Sequence, residues 1–126
     1  MKITKLDHVN VRTAQLDTMI KWYSEVLGLH SRYRPAFPFP RAWLYAGDTV
    51  VVHLVGVDGS AGVGAEQSLK LEHFAFAAKG ARELELRMGE KGESYSRGEL
   101  LEVNIVQYNV WDPDGNHIHI DFPANE

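Results

Sequence analysis

The chain of 126 residues contains no cysteine. A disulfide framework and a thiolate metal site are therefore both excluded, and a metal ion would have to be held by imidazole, carboxylate or amide groups. The six histidines consequently become the side chains to follow. A chain of this length with 44% hydrophobic residues is long enough to bury the core of one domain without covalent cross-links.

The sequence also lacks a long apolar run and an excess of positive charge. Its 13 basic and 17 acidic side chains give a formal net charge of −4, which does not favour binding to nucleic acid or to anionic lipid. No segment approaches the ~20 apolar residues of a membrane-spanning helix, and the first residues show no signal-peptide pattern. We therefore expect a soluble, cytoplasmic protein.

The first part of the chain changes from a strand pattern to a helix pattern. Apolar and polar residues alternate in LDHVNV, which is typical of a short, half-buried strand. From Leu16 to Leu27 apolar residues recur at helical spacing, with Thr13 as a cap before them and Gly28 as a stop after them. The sequence therefore predicts a strand followed by a helix.

The next segments predict a loop, two strands and a linker. The three prolines of PAFPFP indicate a loop, because proline lacks the N–H group that a sheet requires. Residues 42–45 and 49–55 are predicted to form strands joined by a turn at AGD. Residues 56–68 are rich in glycine and show no periodicity, so they are predicted to be a linker or a flap.

After the linker the same order of elements begins again. LEHFAF has the alternation of a strand, GARELELRMGEKG has the spacing of a weaker helix, and EVNIVQYNVW and HIHIDF are predicted strands around the turn DPDGN. Two halves that each contain a strand, a helix and further strands indicate an internal structural repeat. We place the two repeat units at about 3–56 and 69–123.

The last strand concentrates polar groups on one face. In HIHIDF, His117, His119 and Asp121 share a face opposite the apolar residues, because side chains alternate along a strand. Asp121 is thereby placed to orient His119, whereas Glu72 is expected to point away from His73. Taken singly, each histidine also has a structural interpretation as a hydrogen-bonded sheet residue.

The stretches LDHVNVRTAQLDTMIKWYSEVLGL, LEHFAFAA and VWDPDGNHIHIDF together resemble the vicinal oxygen chelate superfamily, which includes glyoxalase I, extradiol dioxygenases, fosfomycin-resistance thiol transferases, methylmalonyl-CoA epimerase and bleomycin-binding proteins. The resemblance covers nearly the whole chain. It implies an α+β fold in which two βαβββ units form an open, partly closed mixed β-barrel around a divalent metal ion, as one glyoxalase-like domain over residues 1–126. It also implies a homodimer.

The resemblance implies a metal site formed by histidines. Position by position, the family's ligands fall on four histidines of this chain, which are His8, His53, His73 and His119. Family members usually have glutamate at the last of these positions. Zn, Ni and Fe(II) suit imidazole ligands, and neutral ligands would leave the ion its full positive charge. In the implied dimer the first two histidines of one chain would meet the last two of the other.

Four side chains receive further roles on this interpretation. His119 is the candidate catalytic imidazole that moves a proton, and Tyr108 is the candidate donor to a metal-bound oxyanion. Arg41 and Trp43 are candidate substrate contacts, through a guanidinium clamp and an aromatic wall. His117 is expected at the rim of the metal site rather than among its ligands.

Three hypotheses for function remain open at this point. The first is a metal-dependent lyase, isomerase or dioxygenase whose substrate chelates the ion through vicinal oxygens. The second is a non-catalytic binding protein that resembles bleomycin-resistance proteins and holds a small molecule in an aromatic cleft. The third is a thiol transferase in which Arg32, Arg34 and Arg41 hold an anionic group.

Overall fold

The computed structural model describes residues 1–59, 61 and 70–126. Its helices and strands follow one another in the order β1 (Val9–Thr13), α1 (Leu16–Glu25), β2 (His30–Ser31), β3 (Arg41–Ala46), β4 (Thr49–Gly56), β5 (His73–Ala77), α2 (Ala81–Lys91), β6 (Ser96–Leu100), a 3₁₀ turn (Leu101–Val103), β7 (Ile105–Trp111) and β8 (His117–Pro123). Among these described residues, no helix is both long enough and apolar enough to span a membrane.

The chain divides into two compact units, unit 1 (Met1–Gly62) and unit 2 (Val63–Glu126). Each unit contains one four-stranded sheet, with the strand orders β1-β4-β3-β2 and β5-β8-β7-β6. In both sheets the first strand runs parallel to the last strand of its unit, and the other neighbours are antiparallel. The predicted α+β fold of two βαβββ units is therefore confirmed. The predicted linker at 56–68 lies mostly outside the described residues.

Helix α1 covers one face of the first sheet. Its buried side chains are Met19, Trp22 and Tyr23. The helix begins at Leu16 as predicted, but Thr13 is not its cap. Gln15 occupies the cap position, and the Thr13 hydroxyl oxygen accepts a hydrogen bond from the backbone N–H of Gln15, which lies before the first residue of the helix. Gly28 has φ 71°, a left-handed conformation that ends a helix at little cost for glycine.

The strands of unit 1 follow the sequence pattern closely. The loop predicted from the prolines at 35–40 is confirmed, and the strands predicted at 42–45 and 49–55 are confirmed as β3 and β4. Gly47, at the turn between them, has φ 60°. The first strand differs from its prediction, because it begins at Val9 and leaves His8 immediately before it.

Unit 2 contains elements that the sequence did not reveal. Strand β6 and the 3₁₀ turn after it were not predicted, and neither was the two-residue strand β2 of unit 1. All residues of β6 are exposed, so they carry no alternation of apolar and polar side chains. Such an edge strand is defined by its pairing with β7, which is a long-range feature.

Candidate functional site

Three histidines converge on one face of the sheet in unit 2. In the parallel pair of β5 and β8, His73 lies opposite His117 and Ala75 lies opposite His119. The rings of His73 and His119 are stacked with centroids 3.7 Å apart, and the ring of His117 lies 4.7 Å from that of His119. Each of the three offers a nitrogen, and these nitrogens all lie within 4.8 Å of one another. Their arrangement makes them candidates for holding a metal ion.

His117 is a fixed member of this cluster. It is 8% exposed, its ring stacks on Trp111 with centroids 5.0 Å apart, and its Nε2 forms a hydrogen bond of 2.8 Å with Oδ1 of Asn109. Both partners lie on β7, directly beside β8. His117 was predicted at the rim of the metal site, whereas its ring lies within the cluster.

One of the two carboxylates near the cluster, that of Glu72, differs from its predicted orientation. Oε1 of Glu72 lies 3.4 Å from Nδ1 of His73 and 3.3 Å from Nδ1 of His117, so the prediction that Glu72 points away from His73 is wrong. Strand β5 begins only at His73, and strand alternation does not govern the residue before it. Asp121, in contrast, accepts a hydrogen bond of 3.0 Å from Nε2 of Gln107.

Unit 1 contains a corresponding pair of histidines. The rings of His8 and His53 are stacked with centroids 3.8 Å apart, and His53 also stacks on Trp43 at 4.6 Å. Oδ2 of Asp7 lies 2.8 Å from Nδ1 of His8 and accepts a hydrogen bond from it. Thus, in each unit, a residue at or just before the start of the first strand meets a residue of the last strand, and both are predicted ligands.

Arg41 lies beside this pair, as part of an aromatic group. Its guanidinium carbon is 4.3 Å from the ring centroid of Phe37 and 5.3 Å from that of Phe39, distances at which a cation is attracted by the face of a ring. Its Nη2 is 3.4 Å from Nδ1 of His53. The two predicted substrate contacts, Arg41 and Trp43, therefore both lie against His53 in unit 1.

One histidine of each pair, His53 in unit 1 and His119 in unit 2, is held toward the neutral state. Burial, followed by the charge of His8 and then of Arg41, lowers the pKa of His53. Burial, followed by the charges of His73 and His117, lowers the pKa of His119. A charged imidazole loses solvation when it is buried and is repelled by neighbouring cations. At neutral pH His53 and His119 are thereby kept as neutral imidazoles, the form that binds a metal ion or accepts a proton.

Negative charge beside the first histidine of each unit is also stabilised. The hydrogen bond with His8 lowers the pKa of Asp7. His73, and after it His117, lowers the pKa of Glu72. Both carboxyl groups therefore remain ionised well below neutral pH.

Tyr108 does not belong to the histidine cluster of unit 2. On β7 it pairs with Ile120, whereas Asn109 pairs with His119, so strand alternation puts Tyr108 on the opposite face. Its hydroxyl donates a hydrogen bond to Glu85 on α2 and accepts one from Nε of Arg97. Burial, and then Glu85, raises the pKa of Tyr108. The structure thus places the tyrosine in the contact with α2, and its role as a donor to a metal-bound oxyanion stays a prediction.

The residues on β7 that do face the cluster were missed by the sequence analysis. Asn109 and Trp111 contact His117, and they occupy alternate positions of IVQYNVW. That Asn109 and Trp111 share a face could be predicted from the sequence, because residues two positions apart on a strand share a face. That both of them contact His117 on β8 depends on the register of the two strands, which the sequence alone does not give.

Replacing Tyr108 with phenylalanine tests whether its hydroxyl stabilises the contact with α2. We expect the free energy of unfolding to fall by about 1 kcal/mol, because Glu85 and Arg97 lose a buried hydrogen-bond partner. We expect metal affinity to stay unchanged. Urea denaturation and a metal titration measure the two quantities. A large loss of metal affinity without loss of stability would show that Tyr108 contributes to the metal site.

Comparisons with known proteins agree with this architecture. The family model of the Glyoxalase/Bleomycin resistance protein/Dioxygenase superfamily matches residues 5–120. Among solved structures, a glyoxylase/bleomycin resistance protein/dioxygenase domain from Frankia sp. EAN1pec is similar with a TM-score of 0.80 and 20% identity, over 97% of this chain and 99% of that chain. A comparison with curated protein sequences gives no significant match.

Two further similar structures have more specific descriptions. Lactoylglutathione lyase from Agrobacterium tumefaciens has a TM-score of 0.71 and 15% identity, over 96% of this chain and 95% of that chain. The fosfomycin resistance protein FosX from Listeria monocytogenes has a TM-score of 0.71 and 12% identity, over 96% of this chain and 94% of that chain. At such identities these likenesses show the fold alone. The match of the family model over nearly the whole sequence shows that the chain belongs to the Glyoxalase/Bleomycin resistance protein/Dioxygenase superfamily.

Proposed function

We propose that this chain is a divalent-metal-dependent enzyme whose small-molecule substrate chelates the ion through two vicinal oxygens. The observation that carries the proposal is the stacked histidine pair in each unit, with ring centroids 3.8 Å apart for His8 and His53 and 3.7 Å apart for His73 and His119. The side chains of His8 and His73 are 38% and 34% exposed, so packing in the hydrophobic core does not explain the presence of histidine at these two positions.

The donor set fits a divalent transition metal. Imidazole nitrogens bind Zn, Ni and Fe(II), and the chain has no thiolate that would compete with them. In unit 2, His73, His117 and His119 would hold such an ion through nitrogens that all lie within 4.8 Å of one another. When bound, the ion would act as a Lewis acid on the chelated oxygens of the substrate.

The chain's own side chains would bind the substrate and move its proton. His119, with its pKa lowered by burial and then by its neighbours His73 and His117, is the candidate acceptor for a proton from a carbon beside a carbonyl. Arg41 supplies a cation for an anionic substrate group, and the ring of Trp43 supplies a flat apolar contact. A homodimer with shared sites, as implied by the family, is part of the proposal.

Metal content is the direct test. We expect about one divalent ion per chain in the protein as purified, measured by mass spectrometry, and loss of that ion in His73→Ala. The matched control is His30→Ala, because His30 is exposed and its Nδ1 is hydrogen-bonded to the Ser24 hydroxyl at 2.9 Å. Iron would favour a dioxygenase, whereas zinc or nickel would favour a lyase or isomerase. A folded protein that holds no ion after incubation with these metals would contradict the proposal.

A second candidate function is non-catalytic binding of a small aromatic molecule. It is favoured by the surroundings of Arg41, which lies over the rings of Phe37 and Phe39 and beside Trp43. Such a protein would bind its ligand tightly after treatment with a chelator and would not convert it. Tryptophan fluorescence of chelator-treated protein distinguishes this function from a metal-dependent reaction.

A further inference from the structure

We propose that unit 2 has a second ligand site, which binds a small monocarboxylate with an apolar or aromatic body in a cavity between α2 and the strands β6 and β7. The cavity has a volume of about 870 Å³, which lies within the range of about 300–1,000 Å³ for small-molecule pockets. Tyr108 lines it, and strand alternation puts Tyr108 and Asn109 on opposite faces of the sheet. The cavity is therefore separate from the histidine cluster, and binding in it would require no metal ion.

The cavity lies where α2 does not cover the sheet. The buried side chains of α2 are Leu84 and Met88, whereas all residues of β6, at the edge of the sheet, are exposed. Arg97 on β6 is paired with Tyr108 on β7, and paired residues of antiparallel strands share a face. Both side chains therefore lie on the face toward α2, and they form the wall of the cavity opposite the N-terminal half of that helix.

The apolar part of the wall fits the body of an organic ligand. Leu86 on α2 is a large apolar side chain at the cavity and is 58% exposed. A ligand that covers it would remove apolar surface from water, which favours binding. The other apolar side chains of the wall are Ala81, Val106, Pro123 and Ala124.

The carboxylates of the cavity already accept hydrogen bonds from the protein. Oε1 of Glu85 accepts one of 2.5 Å from the Tyr108 hydroxyl. Oε1 of Glu126 accepts two, of 2.7 and 2.9 Å, from the backbone N–H groups of Gly80 and Ala81. These acceptors are thus engaged by donors of the wall itself, and they do not select a ligand with many donors.

The guanidinium groups of the cavity, in contrast, retain N–H donors for a ligand. Arg97 donates from Nε to the Tyr108 hydroxyl at 3.3 Å and from Nη1 to Glu99 at 2.9 Å, and these bonds do not use Nη2. Arg82 is exposed and makes no hydrogen bond or ion pair with any residue that the structure describes. Because a guanidinium binds a carboxylate through two parallel N–H···O bonds, these donors select an anion.

The charges of the wall favour a single negative charge on the ligand. Two cations, Arg82 and Arg97, line the cavity together with two carboxylates, Glu85 and Glu126. Those carboxylates would repel a doubly charged phosphate ester more strongly than a singly charged carboxylate. The free donors and the apolar wall together therefore point to a monocarboxylate with an apolar body.

The test titrates the full-length, ¹⁵N-labelled protein with phenylacetate and follows its backbone amide signals by NMR. We expect the signals of residues 80–86 and of Arg97 to shift with a Kd of about 1 mM or lower, both in the protein as purified and after treatment with a chelator. The signals of residues 117–119 are expected to stay in place. Phenylacetamide, which is neutral, and phenyl phosphate are each expected to bind at least about tenfold more weakly.

Substitutions of charged residues at the cavity sharpen the test. We expect Arg82→Gln and Arg97→Gln each to weaken the binding of phenylacetate by about tenfold, because each removes a charged donor. Glu126→Gln is expected to strengthen it by about twofold, because a negative charge leaves the cavity. The matched control is Arg87→Gln, which removes the same charge from α2 but from a side chain that pairs with Glu83, and we expect less than about a twofold change.

Urea denaturation checks the fold of every variant, and Arg82→Gln keeps the test informative if Arg97→Gln is unstable, because Arg82 is exposed. Equal affinities for phenylacetate and phenylacetamide would overturn the role of the two arginines. Tighter binding of phenyl phosphate than of phenylacetate would overturn the assigned class of ligand. Unshifted signals at residues 80–86 with all three compounds, or equal losses of affinity in Arg82→Gln and Arg87→Gln, would overturn the site itself.

Discussion

Replacing Asp112 with alanine is expected to lower the free energy of unfolding by about 3 kcal/mol, because its carboxylate organises the turn between β7 and β8. Asp112 is 4% exposed. Its oxygens accept hydrogen bonds from the backbone N–H of Asp114 at 3.0 Å, from the backbone N–H of Asn116 at 2.9 Å and from Nδ2 of Asn116 at 2.8 Å. Alanine would leave these donors without the acceptor they have in the folded state.

The same substitution is expected to weaken metal binding. His117 begins β8 immediately after this turn, and the turn fixes the register that sets His117 opposite Trp111 and His119 opposite Asn109. A shifted turn would move His117 away from its partners. Co²⁺ titration and urea denaturation of Asp112→Ala measure the two effects.

Asp48→Ala is the control for Asp112→Ala. Asp48 also lies at a turn between two antiparallel strands, but its side chain is 99% exposed and pairs with Arg32 at 3.2 Å. We expect its loss to change stability by about 0.5 kcal/mol or less and to leave metal affinity unchanged. Equal losses in the two variants would show that the buried hydrogen bonds of Asp112 do not stabilise the turn.

Replacing Leu54 with alanine is expected to lower the free energy of unfolding by about 3 kcal/mol, within the 2–5 kcal/mol range for fully buried leucines. Leu54 is 0% exposed and lies on β4, where alternation turns it to the face opposite its neighbour His53. The loss comes from reduced apolar burial and from the cavity that remains. Urea denaturation measures it.

Leu86→Ala removes the same atoms from a leucine that is 58% exposed on α2. We expect a change of about 0.5 kcal/mol or less. A comparable loss in both variants would mean that Leu54 is not a core residue. Metal binding by folded Leu54→Ala is expected to remain, because the substitution lies on the face away from His53.

The elements with strong local patterns were predictable from the sequence. The helix that begins at Leu16, the strands β3 and β4 and the repeated order of elements were all predicted and are confirmed. Each has a hydrophobic period of its own, because one face is buried against the rest of its unit. Strand β6 has no buried face, and its sequence therefore carries no such pattern.

The site was predicted only in part, because only some of its contacts follow from a local sequence pattern. That His117 and His119 share a face follows from the period of a strand, and the histidines of both units were singled out as candidate ligands. Alternation within β7 already separates Tyr108 from Asn109, and the proposed role of Tyr108 as a donor to an oxyanion stays a prediction. The orientation of Glu72 was wrong because the residue lies outside β5, where alternation does not apply.

By itself, the sequence determined the class of fold, the repeat and the restriction of any metal site to imidazole, carboxylate and amide groups, since these follow from local periodicity and from composition. Only the tertiary structure decided that Asn109 and Trp111 hold His117 and that Glu72 approaches two imidazoles. These contacts join segments that are distant in sequence. They depend on strand register and on the turn at Asp112, and register is set by pairing across the whole sheet rather than by any one segment.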